Sequence, residues 1–184
     1  MDLTGKLLIA MPAMSDPRFA QSVVFMCAYS GEGAMGLIVN KPADGLSLNT
    51  LLDQLEISRT DDARDLPVHF GGPVENGRGF VLHDGAHHSS ISTLEVNDAF
   101  GMTATLDILE DIASGQGPKQ SLVALGYAGW GPGQLEAEIS QNAWLTVEAD
   151  PDLVFGSQDD CKWEAALNKL GVSSVTLSSE AGHA

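Results

Sequence analysis

Positive charge is scarce in this sequence. Nine lysines and arginines face 25 aspartates and glutamates, a formal net charge of −16 and a pI near 4.3. Affinity for nucleic acid rests on basic groups that release counterions from phosphates. The nine here are dispersed from Lys6 to Lys169 with no patch among them. Direct nucleic-acid binding is therefore not expected. Anionic membrane surfaces are disfavoured for the same reason.

Cysteine is scarcer still. Cys27 and Cys161 have no metal-type spacing, and two thiols so far apart in sequence make a weak case for a disulfide. No apolar run approaches the ~20 residues of a membrane span. The opening "MDLTGKLLIAMP" lacks the basic segment and long apolar core of a signal peptide. A reduced, cytoplasmic protein is the simplest reading. No P-loop, no G-x-G-x-x-G and no G-x-S-x-G elbow is present. No cofactor and no metal is expected, no membrane association, and a monomer or weak oligomer.

What is there is an ordinary globular balance. The 184 residues are 43% hydrophobic and 18% charged, enough to bury one full core. Short apolar runs at 6–12, 22–29 and 34–42 read as strands, with "SGEG" as a hairpin turn between the last two. Ser47 caps a helix in which Leu48, Leu51, Leu52 and Leu55 share one face. Further strands are expected at 67–74, 78–83, within 87–96, and at 120–127, 144–150 and 174–178. Helices are expected after a Thr105 cap, from Pro132 onward, and after a Ser157/Asp160 capping box. The last residues read as frayed. Strands outnumber helices, and hairpins mix with helical crossovers. This predicts one α+β domain over 1–184 with a curved, mixed sheet.

The densest stretch is "ALGYAGWGPGQLEAEI", residues 124–139. A strand, a glycine loop and a helix start together resemble a phosphate cradle. Pro132 removes one backbone donor there, no cation lies near, and Glu136 and Glu138 add negative charge. The stretch reads instead as a strand-to-helix corner with Tyr127 and Trp130 as an aromatic plug. On the helix, Leu135 and Ile139 share the core face. Gln134, Glu138 and Asn142 form a polar stripe, either a solvated face or one wall of a cleft.

Other candidates carry chemistry less directly. Cys27 ends an apolar strand with no histidine or cation adjacent, which reads as a buried inert thiol. His83, His87 and His88 fall at a strand end and loop rather than on one helix face, which reads as surface histidines. His69 reads as a satisfied core histidine. Arg78 in "NGRG" is either an anion clamp or half of a structural ion pair.

"GKLLIAMPAMSDPRF", "GAMGLIVNKP", "FGGPVENGRGFVLH", "ALGYAGWGPGQLEAEISQNAWL" and "CKWEAALNKLGV" resemble, in this order, the motifs of the bacterial YqgE/AlgH family. The resemblance spans nearly the whole chain. It implies one compact α+β domain with a curved, branched, mixed sheet, partly barrel-like and flanked by helices. It implies a cytosolic bacterial protein and no established reaction. Family members are often labelled transcriptional regulators, after a role proposed in alginate production. Two departures stand out: Ala28 and Tyr29 follow Cys27 where the family commonly has an acidic residue and a histidine, and Gln21 stands where it often has arginine.

Two functional readings follow. The first is a regulatory or adaptor protein that binds a small molecule or a protein partner and not DNA. The second is an enzyme of unassigned reaction, hydrolytic or thiol-based, with a cleft near Cys27, Arg78 and the 126–138 glycine-rich loop. The candidate pocket is Cys27, Arg78, Tyr127, Trp130, Gln134, Glu138 and Asn142.

Overall fold

Strands whose two faces are both apolar have to be covered on both sides. That demand organises this fold. In the computed structural model, which describes residues 1–180, β1 (Lys6–Ala10), β2 (Val23–Ser30) and β3 (Gly33–Ile38) form an antiparallel meander. Their alternate residues feed two different cores. Leu7, Ile9, Val23 and Phe25 face one; Leu8, Ala10, Val24 and Met26 face the other.

The chain continues through β4 (Pro42–Ser47), α1 (Leu48–Gln54), β5 (Pro67–Phe70) and β6 (Val74–Asp84). Then follow β7 (Leu94–Glu95), β8 (Phe100–Thr103), α2 (Asp107–Ala113), β9 (Ser121–Trp130) and α3 (Gln134–Ser140). The end is β10 (Trp144–Glu148), α4 (Pro151–Val154), a 3-10 turn at Asp159–Cys161, α5 (Lys162–Lys169) and α6 (Ser174–Glu180).

The order β10-β1-β2-β3-β9-β6-β8-β7 makes a single curled sheet, a half-barrel with helices packed around it. It branches at β9. One edge of that strand pairs antiparallel with β3 at residues 128–130 and parallel with β5 at 123–125. The other edge carries β6. Helix α5 covers the first core with Trp163, Ala166 and Leu167, and the Trp163 indole donates to the Ala10 carbonyl at 2.8 Å. Leu135 of α3 closes the second core. Helices α1 and α2 enclose a third with Leu48, Leu52, Ile108 and Leu109. The α+β single domain with a curved, branched sheet is thus the observed architecture.

The branch point explains several glycines. A Cβ on Gly71 would meet the Gly126 carbonyl oxygen at 2.3 Å, and one on Gly126 would meet the Gly72 oxygen at 2.3 Å. Two backbone segments approach here closer than any side chain permits.

Some local expectations need correction. Residues 174–178 are not an edge strand but the start of α6. Ser173 accepts from the Thr176 N–H at 3.3 Å and nucleates the turn locally. Strand β9 does not stop at Tyr127; it runs straight through the glycines to Trp130. Helix α3 begins at Gln134, after the left-handed Gly133, so Pro132 precedes it. The Ser47 cap is present. Thr105 does not cap α2, because its hydroxyl bonds the Asp107 carboxylate instead. The Ser157/Asp160 capping box is replaced by the 3-10 turn. The frayed terminus expected beyond residue 180 lies outside the described residues.

Candidate functional site

A run of four residues builds the site. Strand β6 pairs Val74 with Tyr127 and then Gly79 with Leu125. Residues 75–78 therefore stand opposite Gly126 alone, as a wide bulge. Within this run Glu75 is left-handed (φ 47°), which turns the chain out of the ladder. The bulge carries Glu75 and Arg78 outward.

Below it lies an open groove of about 690 Å³, walled by β2, β3, β6, β8 and β9. Its surface is mostly apolar: Met35, Val74, Phe80, Met102, Ala104 and Tyr127 line it. Phe80 and Tyr127 stack edge to face with centroids 5.7 Å apart. Among the described residues, charge enters at Glu32, Glu75 and Arg78. The Arg78 guanidinium lies 5.2 Å from the Phe80 ring centre and 3.6 Å from the Glu75 carboxylate. Tyr29 also lines the groove, and its phenol donates to Glu136. That bond raises the phenol's pKa and lowers the carboxyl's.

Of the residues singled out from sequence, Arg78, Tyr127 and Trp130 meet in this groove. Cys27, Gln134, Glu138 and Asn142 are not among its lining. Cys27 is the residue at a β2 bulge and points into the first core, 2% exposed. Burial pushes its thiol pKa up to about 12. The structure shows the thiol buried, as expected. Gln134 accepts from the Gly131 N–H at 3.1 Å. Glu138 accepts from two buried indoles, Trp130 at 2.6 Å and Trp144 at 3.2 Å. The polar stripe is thus tied to the corner rather than open as a cleft wall. Asn142 takes a left-handed conformation just after α3.

The histidine cluster also needs correcting. His83 is wholly buried, not a surface residue. Its Nε2 lies 2.9 Å from the Thr103 hydroxyl and its Nδ1 lies 2.8 Å from the Asp84 carbonyl. Burial lowers its pKa, which favours the neutral ring. His69 is a core residue, as expected, with Asp159 at 2.9 Å. Among the described residues no group of three or more His, Cys, Asp or Glu is placed to hold a metal ion, and no helix is long and apolar enough to cross a membrane.

Phe80, Glu75 and Ala104 were not anticipated as site residues. The signal for Glu75 was present: a turn-forming "ENG" inside a strand pattern marks a bulge. Ala104 carries no such signal.

The comparisons agree over most or all of the chain. The model of a family described as AlgH-like (DUF179) matches residues 7–175. A UPF0301 protein of Ruegeria pomeroyi is 63% identical over 185 residues, covering 100% of both chains. Another, of Cereibacter sphaeroides, is 58% identical over 184 residues, again covering 100% of both. The solution structure of the AlgH protein from Pseudomonas aeruginosa matches with a TM-score of 0.81 at 44% identity, covering 100% of this chain and 97% of that one. A Corynebacterium diphtheriae protein, at 21% identity and a TM-score of 0.72 over 92% of this chain and 87% of its own, shares the fold. This chain belongs to the AlgH-like, UPF0301 family.

Proposed function

We propose that this protein works by binding, as a cytoplasmic regulatory or adaptor module, and not by turnover at a catalytic site. The observation that carries the reading is the groove itself. Its wall is mostly apolar and aromatic with a few charged groups, Arg78, Glu32 and Glu75, the usual composition of a ligand site. The thiol that a cysteine enzyme would use is sealed in the core behind it. Direct DNA binding is not part of the reading, because a net charge of −16 opposes it. A tight complex with promoter DNA at low salt would sink that part.

Native mass spectrometry of the protein isolated from its own cells tests the rest. The expected result is an added mass, small molecule or protein, that leaves on denaturation. Isolation as the bare chain would count against the reading.

The enzyme alternative has its own test. Iodoacetamide is expected to modify the native protein once, at the exposed Cys161. Cys27 reacts only after unfolding, since the thiolate is the reactive form and this thiol is held protonated. Rapid native labelling of Cys27, read by peptide mass mapping, would restore the thiol enzyme.

A further inference from the structure

Beside the groove lies a second, narrower opening of about 240 Å³. It runs between α1 and α2 against the outer face of β6 and β9, and Leu51, Leu109, Val123 and Leu125 line it. Leu55 and Leu106 stand at its wall, 42% and 56% exposed. An apolar cavity of about 150 Å³ already admits a benzene ring, so this one has room for an aliphatic chain.

The two openings meet at three residues. Arg78, Phe80 and Ala104 line both. Among the described residues, Arg78 is the one cation lining either opening. Its guanidinium rests over the Phe80 ring, which orients the planar fork. Its pairing with Glu75 is long, at 3.6 Å, and both side chains are about half exposed. Such a pair is weak, so an incoming carboxylate replaces Glu75 at little cost. Glu32 and Glu75 at the groove rim repel a ligand carrying several negative charges.

We propose that the α1/α2 crevice and Arg78 together form a binding site for an aliphatic monocarboxylate. The tail enters the crevice, and the carboxylate takes the two parallel N–H donors of the Arg78 fork. The site rests on the binding reading above and gives its ligand a chemical class. A nucleotide or phosphate ester brings more negative charge than one arginine in a groove that also holds two glutamates can offset. A basic amphiphile brings its cation against the Arg78 charge.

Calorimetric titration of the full chain with octanoate, octanol and octylamine tests this. Octanoate is expected to bind saturably, one per chain, and more tightly than the other two. Arg78→Met, at an exposed position, should weaken octanoate at least about tenfold and leave octanol unchanged. Ala104→Leu, which fills the junction, should weaken both. Octanoate binding that is absent, or undiminished in Arg78→Met, overturns the proposal, as does tighter binding of octylamine. Equal binding of octanoate and octanol removes the carboxylate class while the binding reading stands. Failure of all three probes removes this ligand class alone, and the native mass measurement judges the broader reading separately.

Discussion

Gly126→Ala is expected to destabilise the protein by about 3–5 kcal/mol, read as a lower denaturant midpoint at unchanged slope. Two costs combine at this position. The backbone is left-handed, with φ at 74°, where an L side chain is strained. The new Cβ would also sit 2.3 Å from the Gly72 carbonyl oxygen and 3.0 Å from the Asn76 Cα. Both obstacles are backbone, and neither can rotate away. The sheet divides here between β3 and β5, so relief would require the branch to open. Gly133→Ala separates the two costs. It has the same φ of 74° with nothing within 4 Å of its Cβ. Strain alone predicts a loss of about 1–2 kcal/mol there. If Gly126→Ala costs no more than Gly133→Ala, close approach of the strands is not what requires the glycine.

Asp159→Ala is expected to cost about 3 kcal/mol, because it strands a buried cation. Lys162 is 3% exposed. Its ammonium donates to the Val39 and Val154 carbonyls at 2.8 and 2.9 Å and sits 2.8 Å from Asp159 Oδ1. The other oxygen, Oδ2, lies 2.9 Å from His69 Nε2. His69 Nδ1 has no partner, so the tautomer with the proton on Nε2 suits the carboxylate. This cluster ties the start of α5 to the ends of β3 and β5. The double change Asp159→Leu with Lys162→Met removes both charges and is expected to recover much of the loss. A single change as harmless as the double would show that the pair carries little.

The same cluster makes the fold sensitive to acid. Burial pushes the Asp159 carboxyl up, but the bonds from His69 and Lys162 outweigh it, and its pKa ends below the ordinary 3.8. A carboxyl depressed in the folded state contributes stability above its unfolded value. That contribution is lost as pH falls through the lower folded one. Asp159→Asn should therefore flatten the acid limb of the stability curve, measured by denaturation between pH 5 and 2.

Much of the architecture was legible because its signals are local. The doubly apolar run 22–29 announced a strand covered on both faces, and two cores now flank it. The leucines after Ser47 announced a capped helix with one buried face, and Leu48 and Leu52 occupy that face. The burial of Cys27 was expected from its place in an apolar strand without an activating neighbour in sequence. Where the signal was ambiguous the outcome differed: residues 174–178 are helix, with the Thr176 N–H donating to the Ser173 hydroxyl at its start.

The candidate site was legible only in part. Arg78, Tyr127 and Trp130 were named separately, and the fold brings them to one groove. The remaining candidates shared a sequence neighbourhood or a helix face without sharing that wall. Glu138 could be placed on a polar stripe, but its use as a common acceptor for Trp130 and Trp144 depends on α3 packing across the sheet.

Periodicity, caps and turn residues are written within a few neighbouring positions, so the amino-acid sequence by itself determined most strands, most helices, the acidic balance and the family, while β4, β8 and the helical state of 174–178 escaped it. The branching of the sheet at β9, the crevice between α1 and α2, and the placement of Arg78 at the junction of two openings depend on contacts between residues far apart in the chain. Only the tertiary structure decided those, because a cavity is a property of the elements around it and no single element encodes it.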